Sequence, residues 1–388
     1  MQLPSFDIDP AAFARDPYPV LARMRATAPV AYVPQLGAVL ITRRNTIAAC
    51  ERRVDVFSSV QPGGLMTRLM GQNMMRKDGD AHTSERKAAF PAFSPRTVRD
   101  VWVARFVTET RLCLDALENR AAVDLVRDFA MPVSGHALRH VTGLTNLAAA
   151  DMDQVSQAMI DGISNYANDP EPEARCRAAT ARIDEAIAAR LTAGPEPHSL
   201  LSALVQAGQP MESVQANIRL AISGGQNESR DVIAGATWAV MERPEVRRAL
   251  KEDRLDWGAV FDEFCRWISP IGMSPREVVA DVEADGVTIP AGSRAFLMFG
   301  SGNRDDTAFD DPDVFDPRRA VTGSLAFGAG PHFCAGAAAA RSLVADVALP
   351  MLFERFPDLA LDGPVEFAGW AFRGPLAVPV KLGRARGK

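Results

Sequence analysis

Phe327 to Gly336, read as FGAGPHFCAG, sets a single cysteine, Cys334, in a glycine-rich loop. The AAAARSLVADVALPMLFERF that follows combines strong helix formers with apolar residues at helical spacing, so a helix is expected to start just after the cysteine. Gly328, Gly330 and Gly336 allow backbone angles that larger residues resist and let a flat group approach the main chain. Pro331 stiffens the turn. The N–H groups and positive dipole end of the following helix then point toward the sulfur, an arrangement that favours thiolate over thiol. The plainer alternative is one more buried, inert cysteine, and the loop built around it argues the other way.

This loop resembles the haem-binding loop of the cytochrome P-450 family, Phe-Gly-x-Gly-x-His-x-Cys-x-Gly. Phe327, Gly328, Gly330, His332, Cys334 and Gly336 fill every fixed position. The resemblance implies a mainly α fold, a helical bundle with small β-sheets. It also implies one haem b (iron protoporphyrin IX) between a long central helix and the cysteine loop. Cys334 would then be the axial metal ligand, a thiolate that favours O–O cleavage.

Composition agrees with a soluble globular protein. The chain has 388 residues, 47% hydrophobic and 23% charged, enough to bury a large core around a cofactor. No linker, composition shift or repeat divides it, so a single domain spanning 1–388 is expected. A formal net charge of −5 gives no reason to expect nucleic acid. The five cysteines are scattered and odd in number, with no CxxC pair, which argues against a disulfide framework or zinc site and suits a reducing cytoplasm. The N-terminal MQLPSFDIDPAAFARDPYPVLARM carries acids and prolines where an anchor or signal would need an apolar run, so neither is expected.

Upstream of the loop, FDEFCRW places Glu263 and Arg266 on one helical turn. The family's ExxR pair binds an arginine ahead of the cysteine loop; here that partner is expected to be Arg319 of FDPRR, with Arg318 the alternative. Arg276 in SPREV and His332 match positions that contact a haem propionate. His82 and Arg86 of DAHTSERK, four apart on one helical face, match a further such pair. Together these groups suit two carboxylates, and Phe327 completes the expected cofactor contacts. His136 and His140 are also four apart, but without a third ligand they read as core or surface histidines.

The stretch from 212 to 243 is helical at both ends, yet its middle is Gly-Gly-Gln-Asn-Glu-Ser. Each glycine costs a helix interior about 1 kcal/mol relative to alanine, so a functional bulge or kink is expected there. At this place the family's central helix carries an acid followed by a threonine, which handle protons and orient oxygen. Glu228 lies sixteen residues before Pro244, the family's threonine-to-proline spacing, whereas Ser229 lies fifteen. Glu228 therefore takes the alcohol's position and Asn227 the acid's, a departure from the common pattern. The expectation is that Glu228, with an ordered water, does the work of the threonine while Asn227 positions it; the alternative is that Glu228 turns away into a salt bridge.

Residues 57 to 80 carry four methionines and read as a long loop with about one helical turn. The methionines could line an adaptable pocket or fill core gaps. Met74, Ile163, Ala221, Gly225 and Leu376 are the candidate substrate-lining residues, with Met159, Ile160 and Tyr166 near them. DPEPEARC near 169 and GPEPHS near 194 read as turns between helices, and WAFRGPLAVPVKL as a last hairpin turning near Pro375 and Leu376.

The function implied is a monooxygenase that inserts one atom of O2 into a C–H bond of a small apolar molecule, aromatic ones included, by hydroxylation or oxidative O-dealkylation. Nothing in the chain resembles a flavin or iron–sulfur domain, so electrons are expected from a separate ferredoxin and NAD(P)H-dependent reductase. Two other readings differ in class: a peroxide-driven haem-thiolate oxygenase using Glu228, and a haem accessory protein without oxygen activation.

Overall fold

The computed structural model describes residues 3–165 and 169–385. The chain forms two compact units that interleave along the sequence: Met1–Gln61, Trp238–Cys334 and Val365–Leu376 make one, and Pro62–Thr237, Ala335–Pro364 and Ala377–Lys388 the other. One crossing falls inside the helix Gln226–Met241 and another directly after Cys334. A chain that crosses within a helix has no linker to show in its composition.

The first unit is organised on a five-stranded sheet. The apolar runs VAYV and AVLI pair antiparallel as Val30–Val33 and Ala38–Ile41; the second strand continues parallel to Arg294–Leu297, then antiparallel through Ser274–Val278 to Phe57–Ser58. All four residues of Ala38–Ile41 are buried, as an unbroken apolar run requires when both faces of a strand are covered. Val39, Ile41, Ile47, Phe57, Val278 and Leu297 form the core on one face. Leu40 and Phe296, with Phe13, Leu21 and Met24, form it on the other. The sheet thereby fixes Arg276 on its strand, and the helix Arg44–Arg52 packs on it through Ile47 and Ala48.

The second unit is helical. Its helices include Gly79–Phe93, Val103–Asp115, Met131–Thr142, Ala149–Ile163, Pro170–Ala193 and Met211–Ser223. Their apolar faces meet in a core that includes Leu69, Met70, Met152, Met159, Ile183, Leu204 and Ile218. A small sheet sets Pro379–Lys381 between Ala122–Asp124 and Ala360–Leu361.

Three expectations about local structure are corrected. DPEPEARC opens the 24-residue helix Pro170–Ala193 rather than forming a turn: Asp169 caps it by accepting from Glu171 N at 3.0 Å, and proline is tolerated in a first turn, where no helical N–H partner is lost. Residues 57 to 80 are more ordered than a loop, with the strand Phe57–Ser58, the helix Leu65–Met70 and a 3₁₀ turn Met74–Arg76. Pro375 lies in a short strand, Gly374–Pro375, paired with Phe367–Ala368, while the VPVKL end joins the other small sheet. Among the described residues, no helix is long and apolar enough to cross a membrane.

Candidate active site

Within the first unit, the cysteine loop is held by its own main chain. Gly328 N bonds Leu325 O at 3.0 Å, Phe333 N bonds Gly330 O at 3.0 Å, and Cys334 N bonds Phe327 O at 2.9 Å. Gly328 has φ +80°, and a Cβ on Gly330 would lie 2.2 Å from Glu51 O, so both glycines are required by geometry. Phe327 stacks on Phe261 at 6.0 Å. His332 Nε2 meets Ser59 Oγ at 3.1 Å. The helix after the cysteine begins at Ala337, with Gly336 as its cap residue, and passes through a wide, π-type segment Ser342–Ala348 before Leu349–Arg355.

The brace beneath the loop is assembled around Glu263. Arg266 donates to both carboxylate oxygens at 2.7 Å, Asp316 N to Oε1 at 2.9 Å, and Arg319 Nε to the same oxygen at 3.3 Å. Arg266 also donates to the carbonyls of Asn303 at 2.6 Å and Pro312 at 2.9 Å. Glu263 and Arg266 are fully buried. Arg318 instead faces outward, 3.8 Å from Asp316. Arg276 is already engaged: one guanidinium nitrogen pairs with the buried Glu51, another donates to Ser274 Oγ at 2.6 Å and Pro275 O at 2.9 Å, and Nε has no partner among the described residues.

Within the second unit, the central helix is broken where the sequence breaks its own rules. Met211–Ser223 ends at Gly224-Gly225, and Gln226–Met241 begins directly after. A Cβ on Gly225 would meet Ala221 O at 2.7 Å and Leu138 Cδ2 at 3.0 Å. The freed Ile222 carbonyl accepts from Ser156 Oγ at 3.3 Å, one of the ways a helix interruption is satisfied. At the start of the second half, both Glu228 carboxylate oxygens and Asn227 Oδ1 are buried without a hydrogen-bond partner among the described residues. Burial, opposed by the residue's own backbone N–H and by Arg230 and reinforced by Asp231 one turn on, pushes the Glu228 carboxyl up to about 7. Asp231 is pushed up by burial to about 6, although Arg230 Nε donates to it at 2.8 Å; Arg230 also reaches Asp153 at 3.7 Å. Arg230 thus pairs with Asp231, and no ion pair to Glu228 occurs among the described residues.

His82 is buried and Arg86 half-buried on the helix Gly79–Phe93. Between them Glu85 is buried, accepting from Lys77, Ser213 and Asn217, and thereby ties this helix to the methionine segment and to Met211–Ser223. Met66, Met70 and Met74 belong to the apolar core, and Ile163 and Ala221 pack against that core half-buried. Gly225 is half-buried, Leu376 is exposed on the other unit, and Tyr166 lies outside the described residues. His136 and His140 both bond Glu109, at 2.9 and 2.7 Å, and no group of three or more metal-ligating side chains occurs among the described residues. Sequence reasoning missed Glu51, Glu85 and Asp231. Glu51 stands four after Ile47, on the buried face of its helix, and Asp231 three after Glu228; both spacings were available as signals.

The donor chemistry fits a haem. Cys334 is exposed where the other four cysteines are buried, and burial pushes the Cys50 and Cys113 thiols up to about 12 and Cys176 to about 11, which leaves them protonated and inert. Residues 257–359 match the family model described as Cytochrome P450. The chain is 31% identical over 328 residues to cytochrome P450 107B1 of Saccharopolyspora erythraea, spanning 81% of this chain and 78% of that protein. It is 28% identical to the epothilone C/D epoxidase of Sorangium cellulosum over 92% and 90% of the two chains. The structure of epothilone D-bound cytochrome P450epoK superposes with TM-score 0.86 at 26% identity, covering 98% of this chain and all of that one. With a relative this similar over most of its length, the chain belongs to the cytochrome P450 family, as a haem b-dependent monooxygenase.

Proposed function

We propose that the protein inserts one atom of O2 into a C–H bond of a small apolar molecule, aromatic ones included, by hydroxylation or oxidative O-dealkylation, with Glu228 handling the protons. The second oxygen atom leaves as water, which takes up two electrons and two protons; the electrons come from a separate ferredoxin and NAD(P)H-dependent reductase. Cys334 would hold the haem iron, His82, Arg86, Arg276 and His332 would meet its carboxylates, and Phe327 would pack beside it. Bound there, the haem supplies the oxygen-activating redox chemistry, and the chain's residues set position and electrostatics.

The observation that carries this reading is Glu228. A buried carboxyl with no fixed partner, raised to about 7, is half-protonated near neutral pH. It can give a proton and take one back with little driving force lost, which a general acid must do. Asn227 cannot ionise, but its unpartnered Oδ1 can accept from a water and hold it in line. Arg230 and Asp231, adjacent and ion-paired, keep a second titrating carboxyl on the same helix.

The apolar character of Ile163 and Ala221, which pack against the methionine-bearing core, supports an apolar substrate; neither offers a charge to anchor one. The test is Glu228→Gln. Electrons consumed per product formed should rise at least several-fold in the variant, and unchanged coupling would overturn the role. Hydrogen peroxide supplied in place of electrons separates the peroxide-driven reading: turnover that depends on Glu228 would favour it. A panel of aromatic ethers, terpenes and fatty acids, scored by the haem spectral shift on binding, addresses the substrate class.

A further inference from the structure

Arg276, expected to meet a haem carboxylate, also has a carboxylate of the chain's own beside it. Glu51, at the end of the helix Arg44–Arg52, is 1% exposed, and Arg276, on the strand Ser274–Val278, is 2% exposed. They are ion-paired across 225 residues of sequence. The other Glu51 oxygen accepts, at 3.4 Å, from the backbone N–H of Ala329, in the middle of the cysteine loop. The main chain at Glu51 packs against the same loop: its carbonyl fills the space a Cβ of Gly330 would need, and its carboxylate lies 3.1 Å from where a Cβ of Gly328 would stand. One buried glutamate thus touches the sheet on one side and three consecutive residues of the Cys334 loop on the other.

We propose that Glu51 is a positioning residue for Cys334: its carboxylate clamps the Gly328–Gly330 segment to Arg276, so that Arg276 serves the ligand loop through Glu51. The inference rests on Cys334 as the metal ligand. Two consequences follow from the chemistry. Removing the Glu51 charge leaves the Arg276 guanidinium buried and uncompensated, which is far more damaging than removing both charges together. A fixed negative charge against the ligand loop also disfavours adding an electron to the bound group, so its loss raises the reduction potential.

The experiment compares Glu51→Gln, Arg276→Met and the double variant as holoproteins. It follows the lifetime of the thiolate-type carbon monoxide band of the reduced protein, the ferric–ferrous midpoint potential, and urea unfolding of the apoproteins. Glu51→Gln should shorten the band lifetime about tenfold or more and raise the potential, and the double variant, which lacks the clamp as well, should keep a lifetime within about threefold of Glu51→Gln while the stability of its apoprotein recovers toward the parent. Glu51→Asp, whose shorter side chain cannot span both partners, should lose loop order while keeping the charge. Unchanged lifetime and potential in Glu51→Gln, or effects of the two single changes that simply add in the double, would overturn the proposal. If Glu51→Gln yields no holoprotein, the double variant decides: loss of holoprotein or a shortened lifetime on a stable apoprotein supports the clamp, and a parent-like lifetime overturns it. A parent protein without the thiolate-type band would instead sink the assignment of Cys334.

Discussion

Glu263 and Glu228 are the same side chain withdrawn from water in two different units, and they meet opposite surroundings. Glu263 accepts from Arg266 twice, from Arg319 and from the Asp316 N–H. Among the described residues, no donor meets either Glu228 carboxylate oxygen with hydrogen-bond geometry. The first carboxylate is fully compensated, and its burial organises the segment from Asn303 to Arg319. The second has few donors, so burial makes it hold its proton up into the neutral range. Burial alone therefore says little about a glutamate; the number of donors around it decides what burial does to the carboxyl.

The contrast is broken most severely at the brace. Glu263→Ala leaves Arg266 and Arg319 facing each other in a buried site, which should cost about 3–5 kcal/mol. The expected outcome, read by urea unfolding of the apoprotein and by haem content on expression, is little or no holoprotein.

At Glu228 the sign reverses. Its folded pKa of about 7 exceeds the ordinary carboxyl value of 4.5, so the native state binds more protons than the unfolded state between those limits. Stability from this group is greatest below pH 4.5 and is lost as pH rises through 7. Glu228→Gln does not titrate, so its stability relative to the parent should climb by about 2–3 kcal/mol from pH 4.5 to pH 8. Paired unfolding curves across that range measure this, with Asp231 present as a common background in both proteins. A flat difference would mean that Glu228 finds donors after all and resembles Glu263.

The break that presents Glu228 depends on Gly225. Gly225→Ala drives a methyl to within 2.7 Å of the Ala221 carbonyl and should cost about 1–3 kcal/mol. At Gly224 the nearest atom is Leu220 O at 3.2 Å, and alanine also favours helix, so Gly224→Ala should stay within about 1 kcal/mol. Thermal unfolding of the two variants side by side distinguishes a break held by one close contact from one held by flexibility.

These cases show what the sequence could carry. The Cys334 loop was legible because its function needs fixed residue types at fixed spacing within ten residues. The helix break at 224–225 was legible because it violates local rules. Partnerships across long separations were not legible: nothing near Glu51 announces Arg276, and nothing near Glu85 announces Ser213 and Asn217. The wide turns at Val98–Trp102, Val126–Ala130 and Ser342–Ala348 were also invisible, since apolar spacing over so few residues does not separate them from an ordinary helix. The Asp169-Pro170 start was misread because proline marks both a turn and a helix's first residue.

The smallest expected effect is also the finest test of the brace. Arg318 and Arg319 are adjacent in FDPRR, and composition cannot choose between them. In the structure Arg319 donates to Glu263 and to the carbonyls of Asp310, Asp311 and Val314, with 11% of its side chain exposed. Arg318 is 52% exposed and pairs only loosely with Asp316. An exposed ion pair at 3.8 Å is screened by solvent and is worth about 0–1 kcal/mol. Arg318→Ala should therefore shift the unfolding free energy by about 0.5 kcal/mol or less and leave haem content unchanged. Arg319→Ala removes one of two cations from a buried carboxylate and one donor from each of three backbone carbonyls. If the two variants behaved alike, the brace would draw its strength from net charge near the loop rather than from the hydrogen-bond geometry at Glu263, and the distinction between compensated and uncompensated carboxylates would lose its physical basis.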